Sequence, residues 1–372
     1  MKIAIAIPTY NRLDALKRAL EHIEKQEIDN SFDLYCVICN TASTDGTHEY
    51  LSKLKSTKIK YVVHTSQENS VFLNWYKLTT IIPEEIDWIW FHGDDDYLSS
   101  HKSVFEISKI IKEQESEDFS FIHACQTRRS RNTKQIYKGS LLELCNQFGY
   151  LEMLGWMSSL VMRKDRWISA IQLSTYERSK FISEEQSIEV KLSAFSHSHG
   201  ILNFCHGDQA AFFDLGLIDP QDAEQTKESI QRWAVERNGE RYLFVVDDLL
   251  KLKDKGILKD GVTRNFFRYL TYNLWDRYAV FIIEHLLLNK GMYPELVNHF
   301  NRIKEISVLF QSSSDVKSYL LWWYALENEI KNYQKTIELM SESVGSLERL
   351  IGISNVANYD FQVLGLGGVA QQ

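Results

Sequence analysis

The sequence predicts an α/β fold: a mainly parallel central sheet followed by a mostly helical C-terminal region. Three observations predict it. Short apolar runs alternate with helix-periodic segments over roughly the first hundred residues. Polar loops rich in Asn, Asp, Ser and Thr follow the carboxyl ends of those runs. Beyond residue 217, strand signals give way to long stretches with helical spacing.

KIAIAIP (2–8) is a short apolar run closed by proline and reads as a buried parallel strand. In RLDALKRALEHIEKQ, Leu13, Leu16, Leu20 and Ile23 fall on one helical face, with Asn11 as the expected cap. DLYCVICN (33–40) is the second strand, and STDGTHEYLSKL the second helix, capped by Ser43 or Thr44. IKYVVHT (59–65) is the third strand, SVFLNWYKLTTII (70–82) a helix, and IDWIWFHG (86–93) the fourth strand. FSFIHACQT (119–127), SSLVMRK (158–164) and GILNFCHG (200–207) read as further strands, and SEEQSIEVKLSAFS (183–196) as a helix. In the tail, Leu326, Ile330, Tyr333, Ile337, Met340, Val344, Leu347 and Ile351 alternate four and three apart. β-Branched residues fill one series, the pattern of a parallel two-stranded coiled coil; a long helix packed on its own domain is the alternative. The expected organisation is a sheet domain over 1–215, a helical region over 216–318, a coiled-coil helix over 319–355 and a flexible tail over 356–372.

The net charge of −8 argues against a nucleic-acid-binding role, although Arg128, Arg129 and Arg131 form a local basic group. No apolar run approaches the ~20 residues of a membrane-spanning helix. MKIAIAIPTYNR reads as a first strand, not a signal peptide. A cytoplasmic location is therefore expected, with peripheral attachment at the inner face of the cytoplasmic membrane left open. Cys36 and Cys39 form a CxxC, but on a strand residues three apart face opposite ways, so buried reduced thiols are expected and not a zinc or redox site.

WIWFHGDDDYL (88–98) sets three consecutive carboxylates at the end of an apolar strand. Such groups repel one another and are costly to desolvate, so something positive belongs beside them. Pro8 to Tyr10, Asn40 to Asp45, Thr65 to Asn69 and Asp94 to Asp96 all follow predicted strands. They should therefore meet at one rim, where sheets of this type bind ligands.

IAIPTYNRLDAL at the start, NTASTDGT (40–47) and WIWFHGDDDYL together resemble family 2 of the glycosyltransferases, inverting enzymes of the GT-A fold. The resemblance covers about residues 1 to 215. It implies transfer of a sugar from a nucleotide-diphosphate donor to a hydroxyl of a saccharide or lipid-linked saccharide, as in bacterial O-antigen, capsule or related surface-glycan synthesis. It also implies Mn²⁺ or Mg²⁺ to neutralise the leaving diphosphate. Asp95 and Asp96 are then the residues closest to the metal, and Asp94 and Asp95 border the donor; Gly93 stands where many relatives have the first Asp. Pro8, Thr9 and Tyr10 match the nucleotide loop, and Arg12 is either a phosphate contact or a solvated helix residue.

Asn40 stands where many relatives place an Asp that accepts the N3–H of uracil. An amide accepts and donates, so UDP or dTDP is the expected donor nucleotide and CDP is also accommodated. QENSVFLNW (67–75) resembles the family segment ENxGxxxN, with Asn69 beside the nucleotide, Val71 in place of the Gly, and Asn74 read as a helix-surface residue. Asp45 reads as a turn and cap residue. FISEEQSIEV (181–190) matches the family's acidic pair, making Glu185 the catalytic base and Glu184 its neighbour; first-turn acids favoured by the helix dipole are the alternative. GWMSSLVMRKDRW (155–167) resembles the acceptor side, where Trp156 and Met157 either stack on a sugar or pack the core. His206 is either an additional metal contact or structural, and Trp75, Trp88 and Trp90 are read as core residues.

Two rival readings are weaker. A nucleotidyltransferase would carry a glycine-rich loop after the first strand, and PTYNRLDAL has no glycine. A scaffold acting through a coiled coil would have lost the acidic cluster and the base, and both are present. Residues 323–351 would make the chain a homo-oligomer.

Overall fold

The computed structural model describes residues 1–66, 71–113, 118–179, 195–221, 245, 248–258, 262 and 264–267. The chain opens with β1 (Lys2–Thr9), α1 (Leu13–Glu24), β2 (Asp33–Thr41), α2 (Thr47–Leu51), β3 (Ile59–Ser66), α3 (Val71–Ile81) and β4 (Trp88–Phe91). These strands pair in parallel in the order β3-β2-β1-β4. The chain therefore builds outward from β1 on one side and returns to its other side, leaving a crevice where the order reverses.

β1 and β2 are buried on both faces, as their unbroken apolar runs require. Ile3, Ile5 and Ile7 join Leu34, Cys36 and Ile38 in one core, under Leu16, Leu20 and Ile23 of α1. Ala4 and Ala6 join Tyr35, Val37 and Cys39 in the other. Cys36 and Cys39 are thus free, buried and on opposite faces, as expected of thiols in a strand. Trp75, Trp88 and Trp90 are core residues, as predicted.

The second half of the sheet mixes directions. It comprises β5 (Asp96–Leu98), α4 (Ser103–Glu113), β6 (Phe121–Gln126), β7 (Ile136–Ser140), α5 (Leu141–Phe148), α6 (Tyr150–Leu154), β8 (Leu160–Arg163), α7 (Lys164–Ser179), α8 (Ser196–Cys205) and β9 (Gln209–Pro220). β8 lies antiparallel between β4 and β6, and β9 pairs with β5, β6 and β7.

Four expectations change. GILNFCHG is not a strand: it lies in α8, where Ile201, Leu202 and Cys205 are buried and Phe204 is exposed, a helical pattern that a short apolar run conceals. The missing strand is the next segment, QAAFFDLGLIDP. The domain boundary expected at 215/216 falls inside that strand, and Val245, Leu249, Leu252 and Phe266 pack into the same core as β1 and β4. Asn11 does not cap α1. With φ at +50° it turns its side chain to accept from Thr44 N (2.7 Å), while Ser43 Oγ accepts from Asn11 N (2.9 Å). Nor do Ser43 or Thr44 cap α2. Both helix starts are held by Asp45, which accepts from Leu13 N at 2.8 Å and from Thr47 N and Oγ1 at 3.1 and 2.6 Å. The periodic segment 326–351 lies outside the described residues.

Removing a helix-capping acceptor costs about 1 kcal/mol per helix. Asp45→Ala should therefore lower the unfolding free energy by about 1–3 kcal/mol. Urea titration should show this as a lower midpoint at unchanged slope.

Candidate active site

Three of the rim segments start from the ends of β1, β2 and β4, at or beside the crevice between β1 and β4. Thr9 and Asn40 are register partners at the ends of β1 and β2, and β4 ends at Phe91, opposite Ala6. His92 to Asp95 then turn the chain into β5. His92 is buried and donates from Nδ1 to the Gly93 carbonyl (2.7 Å), which bends the chain at this point; its burial pushes its pKa down to about 4.

The three aspartates have different partners. Asp94 is buried; it accepts from Thr9 Oγ1 at 2.7 Å and from Arg12 Nη1 at 3.2 Å. Asp95 is a quarter exposed and takes the same Arg12 nitrogen at 2.5 Å. Asp96 is buried and accepts from Ser158 Oγ and, at 3.1 Å, from Trp156 Nε1. Ser158 in turn accepts from Gly93 N (2.8 Å), and its carbonyl takes the Trp90 indole N–H (2.7 Å).

One guanidinium thus serves two of the three carboxylates, and the balance shows in their acidity. Burial raises Asp94 to about 6 against the opposing pull of Arg12, and burial followed by repulsion from Asp95 raises Asp96 to about 7. Burial also works against the charge on Arg12, but Asp94 and Asp95 outweigh it and hold its pKa up.

The oxygens left over suit a hard divalent cation. A side-chain carbon built on Gly93 would lie 3.1 Å from both Asp95 Oδ1 and Asp96 Oδ2 and 3.3 Å from Ser158 Oγ. A side chain at Gly93 would therefore crowd Asp95, Asp96 and Ser158. Among the described residues no group of three or more His, Cys, Asp or Glu side chains assembles a cage. Asp95 and Asp96 could thus hold Mn²⁺ or Mg²⁺ only with further oxygens, of the kind a diphosphate and water supply.

A second polar group lies between β1, β2 and α3. Asn74 is buried and donates to Thr41 Oγ1 at 3.1 Å and to the Thr9 carbonyl at 3.4 Å, while Thr41 Oγ1 donates to that same carbonyl at 3.2 Å. The sequence suggested a helix-surface residue here; instead, Asn74 ties together the ends of the first two strands. Asn40 is fully buried, and neither its amide nitrogen nor its amide oxygen has a partner among the described residues. Leaving such a group unpaired is costly, so an external donor and acceptor suits it.

The structure brings together Thr9, Arg12, Asn40, Asp94, Asp95, Asp96 and Trp156, with Pro8 and Tyr10 half-buried at the same strand end. Met157 is partly buried against the core. His206 belongs elsewhere. It ends α8 beside Gln209, which bonds Ser120; Ser120 bonds Arg163; and Arg163 pairs with Trp88 at the start of β4. That is the opposite end of the strands from Asp94 to Asp96, so His206 does not join them. Asn69, Glu184 and Glu185 lie outside the described residues. Ser158 and Thr41 escaped the sequence reading; the only signal was a hydroxyl in or beside an otherwise apolar run.

A parallel α/β half-sheet with an acidic turn at its reversal point, extended by antiparallel strands, is the GT-A glycosyltransferase architecture. Residues 4–169 match the model of glycosyl transferase family 2. The abequosyltransferase RfbV of Salmonella typhimurium is 26% identical over 245 residues, 58% of this chain and 70% of that protein. S. aureus TarS 1-349 in complex with UDP-GlcNAc superposes at a TM-score of 0.54 with 15% identity, covering 93% of each chain. The longer S. aureus TarS structure gives 0.55 at 14% identity, covering 90% of this chain and 54% of that one. At such identities the likeness to TarS is one of fold.

Asp96 yields a pH prediction. Its folded-state pKa lies above that of an unfolded chain, so the folded protein binds the proton more tightly. Its contribution to stability therefore falls as pH rises from about 4 to about 7. With chelator present, Asp96→Asn should gain stability relative to the native protein across that window and keep the gain at pH 8, as read from melting temperatures.

Proposed function

We propose that the protein is a metal-dependent, inverting glycosyltransferase that moves a sugar from a nucleotide-diphosphate donor to a saccharide hydroxyl in bacterial surface-polysaccharide assembly. The observation that carries the reading is the meeting of the β1 loop, the end of β2 and the acidic turn at the reversal point of the sheet. In this reading Asn40 addresses the base. Its amide suits UDP or dTDP through the oxygen, and CDP through oxygen and nitrogen together. Thr9 and Asn74 fix the loop against which the nucleotide lies. Asp95 and Asp96 hold Mn²⁺ or Mg²⁺, which when bound supplies positive charge to the leaving diphosphate. Trp156, its indole N–H anchored on Asp96, places an aromatic edge beside the sugar site. Glu185 takes the proton from the acceptor hydroxyl, with Glu184 next to it. The abequosyltransferase relative supports transfer of a sugar, and the acceptor in this reading is a surface saccharide, free or lipid-linked. No helix among the described residues is long and apolar enough to cross a membrane. In this reading a lipid-linked acceptor is met by peripheral attachment at the inner face of the cytoplasmic membrane. Self-association through residues 323–351 completes the proposal.

The reading is tested by melting the protein with UDP, dTDP, CDP or GDP, each with Mn²⁺, Mg²⁺ or chelator. One nucleotide with metal should stabilise it by about 2.7 kcal/mol at a hundredfold excess over Kd. Asp95→Asn should remove that gain, and a folded sample that responds to none of the four would overturn the proposal. Glu185→Gln should lower kcat by about 100-fold or more while leaving the nucleotide shift in place.

A further inference from the structure

We propose that Arg12 is a built-in counter-cation. It closes the acidic turn while no donor is bound, and it moves onto the donor's diphosphate when a divalent cation takes its place. The inference rests on the reading of Asp95 and Asp96 as the cation site.

The geometry carries it in three steps. First, Arg12 reaches the turn through one nitrogen only. Nη1 spans Asp94 Oδ1 and Asp95 Oδ2, whereas Nε and Nη2 make no hydrogen bond among the described residues. The side chain is 27% exposed. A guanidinium placed only for stability would be expected to use its fork against a carboxylate in two parallel bonds. Here three N–H groups are left to bind something else, and a diphosphate oxygen is the acceptor that the guanidinium fork matches.

Second, the two cations compete for Asp95. Arg12 Nη1 sits 2.5 Å from Oδ2, and an ion on the other oxygen of the same carboxylate would lie a few ångströms (~4 Å) from that nitrogen, where like charges repel in a partly buried site. Asp94 keeps Thr9 whether or not Arg12 leaves, so the buried carboxylate is not stripped of every partner.

Third, Arg12 is free to move where its neighbours are not. It precedes the first residue of α1, so its side chain leaves from a loop position. The backbone on either side is pinned, Asn11 N on Ser43 and Leu13 N on Asp45. A change of side-chain rotamer, with no shift of the loop, is enough to exchange carboxylates for phosphate.

The experiment uses the full chain and two ligands, Mn²⁺ alone and inorganic pyrophosphate with Mn²⁺ saturating. Free Mn²⁺ is followed by electron paramagnetic resonance and pyrophosphate by calorimetry. Removing one competing cation should tighten Mn²⁺ binding about tenfold or more in Arg12→Gln, and the same variant should bind pyrophosphate about tenfold or more weakly. Arg12→Lys, which keeps the charge but not the fork, should lie between the two. A purely structural Arg12 would weaken both ligands together, and that result would overturn the proposal. So would unchanged Mn²⁺ affinity in Arg12→Gln; if Asp95→Asn still weakened Mn²⁺, the cation site itself would stand. If Asp95→Asn left Mn²⁺ affinity unchanged, the cation site and the counter-cation role would fail together.

Discussion

Three carboxylates following a buried strand would be untenable in isolation, because each loses water and each repels the next. The pairing of Arg12 with Asp94 and Asp95 relieves part of that cost, and much else in the domain follows from it. Arg12 must stand at the start of α1 to reach the turn, and this requires the β1 loop to hold a left-handed residue at Asn11. That loop is fixed in turn by the loop after β2, through Ser43, Thr44 and Asp45. Asp96 has no cation and is satisfied differently, by Ser158 and Trp156 from the segment before β8. The remaining imbalance appears as raised pKa values on Asp94 and Asp96. The turn thus keeps more carboxylates than cations, the condition in which an added cation is favoured.

Legibility in the sequence followed physical simplicity. β1 to β4 were readable because parallel strands buried on both faces leave unbroken apolar runs, and their helices leave clear periodicity. From strand position alone, the convergence of three loops on one rim followed as well. What could not be read was anything set by partners distant in sequence. GILNFCHG looked like a strand because eight residues of mixed apolar character do not distinguish a period of two from one of 3.6. β9 was missed because it pairs with three different strands in two directions, so its exposure alternates irregularly. Asn74 was read as a surface residue because polarity on a helix usually means solvent, and only the structure shows two threonines waiting for it. His206 was read as a metal contact or a structural residue from the family resemblance, at the end of a segment that looked like a strand. Once that segment is a helix, its end points away from the rim.

The capping roles show the same lesson at smaller scale. Local sequence offered Asn11, Ser43 and Thr44 as caps, each adjacent to its own helix. The fold uses Asp45 for both helices, which couples two crossovers through one side chain. Asp45 was correctly expected to be a structural residue, but its reach to Leu13, 32 positions away, depended on the loops being neighbours in space.

The pairing of β5 with the last residues of β9 has a consequence for how the protein is made. Asp96 is opposite Pro220 and Leu98 opposite Ile218, so the strand that continues the acidic turn has no partner until the chain has been synthesised that far. The parallel strands around β1, by contrast, are complete by Phe91. During translation the crevice can therefore form early while its carboxylates remain loosely placed. The carboxylate at the head of β5 gains its strand partner only when a segment more than a hundred residues downstream has closed the sheet, and such long-range pairing is slow to form.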